Sequence, residues 1–224
     1  RRPLFADVRL RRAFNLAYDW ETSDRLLSNG EYHRDSSYFD GIPEFMATGL
    51  PEGAELKILE TVRDKVPAEL FTTPYKNPVG GSDEASRANL REAARLLKEA
   101  GFENRERKLV DPSGKPVSVE FLCGDPGDER GVLFYKPYLE RLGMTVTIRT
   151  VDSVQYQNRL RSFDFDITTT GWGQSLSPGN EQRDFFGSDS ADRPGSRNRP
   201  GIKNPAVDAL IERVIFAKDR PELV

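Results

Sequence analysis

The sequence predicts an α/β fold: a mainly parallel sheet flanked by helices and carrying long loops. Two observations carry that expectation. From Val117 onward, alternating apolar runs and helical repeats succeed one another as strand, helix, strand, helix, strand. Eighteen glycines, 15 prolines and a mean hydropathy of −0.62 mark a large share of exposed connecting chain. The 224 residues suffice for one large domain or two small ones, and the pattern favours a single lobe spanning 1–224. Thirty-three basic against 36 acidic residues leave a net charge of −3, which argues against a nucleic-acid binder, whose phosphate affinity needs a basic face. No apolar run approaches the roughly 18 residues of a membrane helix. The single cysteine, Cys123, excludes an internal disulfide, a cysteine-rich zinc site and an iron–sulfur cluster. The single histidine, His33, removes most metal constellations, and no metal or cofactor is expected.

Element by element, Leu10, Ala13, Phe14, Ala17 and Tyr18 form one helical stripe with Asp7 as its N-cap. A short helix over 22–28 ends at the Asn29-Gly30 turn. From Glu31 to Pro51 the aromatics Tyr32, Tyr38, Phe39 and Phe45 lie in an irregular segment, long enough to suggest a functional or packed loop. A helix near 54–63 follows, then a proline-rich crossing through Pro67, Pro74 and Pro78. The clearest helix places Leu90, Ala93, Ala94 and Leu97 on one face, with Gly101 at its C′ position. Val117, Val119 and Phe121 alternate as a strand; a helix from Asp125 runs to Leu142, with Pro137 expected to kink it or to mark its start. Val146 and Ile148 make a second strand, Asp152 caps a helix to Ser162, and Phe165 and Ile167 point inward from a third strand. A polar loop from Gly171 to Pro205 precedes a last helix on Val207, Leu210, Ile211 and Val214.

Open α/β sheets bind ligands outside the carboxyl ends of their strands. That rule selects the loop after 117–122, the Val151-Asp152 turn and, above all, Gly171-Trp172, where Gly171 would permit a sharp turn and Trp172 would show its indole face at the rim. Catalytic readings stand beside this one. Asp164 and Asp166 share a strand face and would suit a cation or an acid–base pair; Cys123 would serve as a nucleophile if His33 approached it. Gly124-Asp125-Pro126-Gly127 lacks the spacing of a phosphate loop, although its helix start would suit a carboxylate. Among Arg183, Arg197 and Arg199, one fork would meet an acidic ligand group.

These residues combine into a resemblance. The run Ala88 to Phe102 (ANLREAARLLKEAGF), Leu139 to Val146 (LERLGMTV), Asp164-Phe165-Asp166-Ile167 before Gly171-Trp172, Asn204 to Ile211 (NPAVDALI) and Asp7 to Asn15 (DVRLRRAFN) resemble, in order and spacing, the carboxyl-terminal lobe of solute-binding proteins of bacterial peptide ABC transporters. The stretch from Trp172 through Glu181 to Phe186 is similar to the Yej-type branch, associated with oligopeptide and microcin C uptake. The resemblance implies a type II periplasmic-binding-protein-like lobe and a monomeric periplasmic receptor of a Gram-negative bacterium, exported by a signal peptide. It also implies hinge closure on a peptide or peptide-like ligand, delivery to membrane permease subunits, and neither catalysis nor a cofactor. It implies that this chain is a fragment lacking the other lobe, and that Gly171, Trp172, Gln174, Ser175, Asn180, Glu181, Arg197 and Asn198 face the cleft, with the aromatic loop Tyr32 to Phe39, Tyr32 and Arg34 foremost, as a second stretch of wall. Relatives often place an Asp shortly after the Trp to meet the peptide amino group; here Gln174-Ser175-Leu176-Ser177 stands instead, with Glu181 as the available charge. The rival reading is a hydrolase using Asp164, Asp166 or Glu181.

Overall fold

A computed structural model describes residues 2–224. In chain order it contains α1 (Val8–Leu16), α2 (Trp20–Leu27), α3 (Gly53–Glu60), α4 (Asp83–Glu99), β1 (Glu103–Arg105), β2 (Lys108–Val110), β3 (Ser118–Cys123), α5 (Pro126–Arg141), β4 (Thr145–Thr150), α6 (Ser153–Ser162), β5 (Ile167–Thr168), α7 (Glu181–Phe186), α8 (Pro205–Ile215) and α9 (Arg220–Leu223). These fall into two compact units: 1–34 with 78–170, and 35–77 with 171–224.

The first unit bears out the α/β expectation. Its sheet has the order β4-β3-β5, all parallel, with Val119 opposite Val146, and Phe121 flanked by Ile148 and Ile167. Five of the six residues of β3 are at least half-buried, as befits a strand covered on both faces. The core gathers Leu10, Ala13 and Ala17 from the first helix and its end, Ala93 and Leu97 from α4, and Val132 and Leu139 from α5, around Val119, Phe121 and Val146. The helix signals act as read. Asp7 accepts the Arg9 backbone N–H at 2.8 Å and Ser82 accepts that of Ala85 at 3.2 Å. Gly101 takes φ +85° where α4 ends, and Phe102 N–H closes back on the Leu97 carbonyl at 2.9 Å.

Two local expectations are corrected, and of the two alternatives at Pro137 the helix start is removed. The second helix starts two residues early, because Asp19 rather than a later residue supplies the cap to Thr22 N–H at 3.0 Å. Helix α5 runs through Pro137 from Pro126 to Arg141; Leu133, whose carbonyl loses its helical partner there, is an exposed residue. The third strand shrinks to Ile167–Thr168. Phe163 adopts a left-handed backbone (φ 56°) and Asp164 N–H bonds the Arg159 carbonyl, so these residues finish α6 instead of joining the sheet. Asp166 then uses its carboxylate on the Glu120 backbone N–H at 3.0 Å, and Phe165 lies outside the strand.

The second unit is built differently. Among its described residues it has no strand, and it includes 3₁₀ turns at Pro43–Phe45, Arg63–Lys65, Ala68–Phe71 and Ser188–Ser190. The helix read over 54–63 is Gly53–Glu60 followed by one of these turns. Buried polar residues do much of the holding. Asn198, fully buried, donates to the carbonyls of Gly187 and Ile202 at 2.9 Å each and accepts the Ile202 N–H at 2.8 Å. Ser196 and Ser190 hydroxyls donate to the carbonyls of Ser190 and Gly187 at 2.7 Å. Asp208 takes the Ser188 N–H and hydroxyl, at 2.8 and 2.5 Å. The unit's two segments meet where Arg220 pairs with Glu44 and lies 4.5 Å over the Phe45 ring.

Candidate ligand-binding wall

The crossovers leave β3 toward β4 on one side and reach β5 on the other, so the strand-end rule points to the crevice between the ends of β3 and β5. Tyr156 of α6 fills it. Its hydroxyl lies 2.9 Å from the Thr168 hydroxyl and donates to the Thr169 carbonyl at 2.9 Å. Its ring rests on Gly124, where a Cβ would stand 2.9 Å from the ring, so glycine is required by this close approach. The neighbouring helix starts are occupied as well. Asp125 accepts the N–H groups of Gly127 and Asp128 at 2.7 and 3.0 Å; Asp152 accepts those of Val154 and Gln155 at 3.0 and 2.9 Å. The helix start after β3 therefore holds its own carboxylate rather than a ligand's.

Of the selected loops, Gly171-Trp172 in the second unit presents a different surface. Trp172 is half-buried; its Nε1 donates to the Arg197 carbonyl at 3.1 Å, while the Arg197 Nη2 donates to the Gly171 carbonyl at 3.0 Å. This reciprocal pair locks the indole against residue 197. The ring then packs 5.9 Å from Tyr38 and 5.9 Å from Phe186, Tyr38 sits 5.1 Å from Phe186, and the Arg197 guanidinium lies 4.5 Å over Phe185. Tyr38 remains 59% exposed, so the cluster shows ring surface outward. Gly171 has no left-handed φ and no atom within 4 Å of where a Cβ would stand, so the sharp glycine turn expected there is not made.

Next along the loop, Gln174 exchanges amide contacts with buried Gln182, at 2.7 and 3.5 Å, and Gln182 also donates to Glu181 at 3.2 Å. Burial opposes ionisation of Glu181, but the backbone N–H of Gly179 at 2.8 Å, its own N–H and the Gln182 amide outweigh it, and its carboxyl sits below the ordinary range. Ser175 accepts the Ser177 N–H at 3.1 Å, and Asn180 accepts from Arg183 at 3.3 Å.

Other named residues are spent elsewhere. Asn198 offers its amide to the second unit's interior, as described above, and is buried rather than facing a cleft. Arg34, in the first unit, donates to the Pro78 carbonyl at 2.5 Å and reaches Glu21 at 3.4 Å, which ties down a chain crossing. Tyr32, also in the first unit, is 70% exposed. Arg183 forks onto Glu212 at 2.7 to 2.9 Å. Of the catalytic candidates, Asp166 pairs with Arg2 at 2.6 Å and Asp164 with Arg159 at 2.9 Å, so each carboxylate has its own cation. Cys123 is 1% exposed; burial, then the carboxylates of Asp128, Glu129 and Asp125, push its thiol up to about 11. Tyr38 lies in the aromatic loop 32–39 that the sequence offers as a second stretch of wall, whereas nothing in the sequence names Phe186 or Gln182 as wall residues.

Residues 1–193 match the family model described as bacterial extracellular solute-binding proteins, family 5 Middle, and the chain belongs to that family. It is 51% identical, over all of its length, to the probable peptide-binding protein YejA of Agrobacterium fabrum, and spans 36% of that protein. Its fold is similar to that of the oligopeptide-binding protein AppA of Bacillus subtilis in complex with a nonapeptide (TM-score 0.70, 21% identity, 99% of this chain and 38% of that one). It is also similar to a mannohexaose-bound periplasmic oligopeptide-binding protein of Thermotoga maritima (TM-score 0.67, 20% identity, 100% and 38%). The chain thus spans little more than a third of the length of these proteins.

Proposed function

We propose that both units together form the carboxyl-terminal lobe of a periplasmic receptor that binds oligopeptides or peptide-like solutes and passes them to an ABC permease. The identity to a probable peptide-binding protein over the entire chain carries this reading. The wall supports it: the Trp172–Tyr38–Phe186 surface suits side chains of mixed shape, because stacking and apolar contact make few demands on sequence. Gln174, Ser175 and Asn180 add polar groups for peptide backbone, and ionised Glu181 supplies the negative charge that an amino group needs. Arg197 acts by holding Trp172 in place, and Asn198 by fixing the loop that carries Arg197. Binding is by closure of two rigid lobes, with no chemical step. No helix among the described residues is long and apolar enough to cross a membrane.

The test is calorimetry on the full-length receptor, stripped of ligand by unfolding and refolding, with mixed-sequence peptides of three to nine residues as titrants. Binding is expected, and Trp172→Ala should weaken it about tenfold, the worth of ~1.4 kcal/mol of lost ring contact. No heat with any peptide, or cleavage of the peptides during incubation, would overturn the reading.

A further inference from the structure

A cavity of about 420 Å³ opens in the first unit between the start of α2, the start of α4 and the end of α5. Three guanidinium groups line it, those of Arg25, Arg87 and Arg141. Several arginines of this unit are neutralised at close range, Arg9 by Asp7 and Arg95 by Glu92 at 2.6 Å, and Arg149 by Glu120 at 2.8 Å, while others, such as Arg11 and Arg130, donate to backbone carbonyls. Two of the three cavity arginines have no carboxylate partner among the described residues. Arg25 donates to the neutral Thr22 hydroxyl at 3.3 Å, and Arg141 lies over the Tyr138 ring at 5.5 Å. Arg87 makes a loose pair with Asp83, also of the lining and 95% exposed, at 3.6 Å. The buried acid of the wall, Asp19, is already engaged: one oxygen takes the N–H groups of Thr22 and Gly81 at 3.0 and 2.8 Å, the other the Ser86 hydroxyl. Those bonds hold its carboxyl in the ionised form against the burial that opposes it, and they fix the Gly80-Gly81 loop across α2.

Three arginines against two carboxylates, Asp19 and Asp83, leave the lining one net positive charge, and with the oxygens of Asp19 spent on N–H and hydroxyl donors an anion can accept from the forks of Arg25 and Arg141. The volume says what kind. A bare inorganic ion would fill a small part of 420 Å³, whereas small organic ligands occupy sites of this size. A shallower hollow continues from the first, sharing Arg87 and Arg141, with Leu90, Ala94 and Leu142 as an apolar surface. We propose that this cavity binds a small organic oxyanion, a phosphate ester or polycarboxylate, with its charged group among the three arginines and its apolar part toward Leu90 and Leu142. This site goes beyond the peptide reading and stands without it, since its residues belong to the first unit and the aromatic wall to the second.

The experiment titrates the full-length receptor with phenyl phosphate and, separately, with citrate, against potassium chloride at matched ionic strength. It follows thermal unfolding and calorimetric heat, and measures peptide binding on the same sample. Saturable stabilisation beyond the chloride control is expected with at least one probe. Phenyl phosphate alone identifies the ester, citrate alone the polycarboxylate, and both support the shared oxyanion chemistry. Arg87→Ala with Arg141→Ala should weaken binding at least tenfold and leave peptide affinity unchanged. Arg141→Lys, which keeps the charge and removes the fork, should weaken it severalfold in a protein that folds normally. Stabilisation no greater than with chloride, or affinity unchanged in both variants, overturns the proposal. Since peptide binding is read separately, its failure would not be mistaken for failure of this site.

Discussion

The two units solve the same problem with different materials. In the first, apolar residues at helical and strand spacing converge on one core, and Leu10, Ala13, Ala93 and Leu139 are wholly buried. In the second, helices and turns are pinned by Asn198, Ser190, Ser196 and Asp208, whose side chains answer backbone groups that regular structure would otherwise pair. The difference teaches that a loop-rich region can be held in one shape if each turn has a dedicated polar partner. Such a region can carry a binding wall whose surface residues stay variable. It also means that the two units should fail in different ways.

Leu139→Ala attacks the apolar design and should cost about 3–4 kcal/mol of unfolding free energy, measured by denaturant titration; a cost under about 1 kcal/mol would show that the core is not what holds the first unit. Asn198→Ala attacks the polar design and strands the carbonyl and N–H of Ile202, while the Gly187 carbonyl keeps the Ser190 hydroxyl, at roughly 2–3 kcal/mol. Hydrogen exchange should then quicken over 187–202 while α4 and β3 keep their protection. Uniform quickening would dissolve the contrast. Tyr156→Phe removes the hydroxyl that anchors Thr168 and Thr169 and should cost about 1 kcal/mol, read by exchange at the end of β5. The smallest effect is in acid. The Arg9 side chain above all, with burial opposing it and the backbone N–H of Arg9 assisting, holds the Asp7 carboxyl at about 2 rather than its ordinary 3.8. Its contribution is therefore complete above about pH 4 and fades as pH falls toward 2. An Asp7→Asn variant should be less stable than the parent at neutral pH and should lose less on acidification, so that the two converge as pH falls toward 2.

The first unit was legible in the sequence because periodicity is the imprint of a continuous core. Helix α4, the β3 alternation and the caps at Asp7, Asp125 and Asp152 all stood where their spacing put them. The third strand misled, since Phe165 and Ile167 alternate correctly but the left-handed turn at Phe163 and the carboxylate bond of Asp166 act first. In the second unit, single residues decide the shape through partners far away in sequence. Nothing near Asn198 announces that its amide will be buried, and nothing near Tyr38 names Trp172 as its neighbour. Composition flagged the loop as unusual; only the fold showed which rings it brings together.

The second unit's division into 35–77 and 171–224 has a consequence for how the chain is made. The last strand of the first unit ends at Thr168, so that unit has all its strands before most of the later segment has been synthesised. The earlier segment has to wait. Tyr38 has no Trp172 or Phe186 to pack against, and Glu44 meets Arg220 only after 176 further residues. During that interval Phe39 and Phe45 have chiefly each other, 5.4 Å apart. A premature stop or a pause before residue 171 would therefore leave a finished sheet beside an aromatic strand of chain with nowhere to settle, and the nascent protein is most exposed to aggregation there.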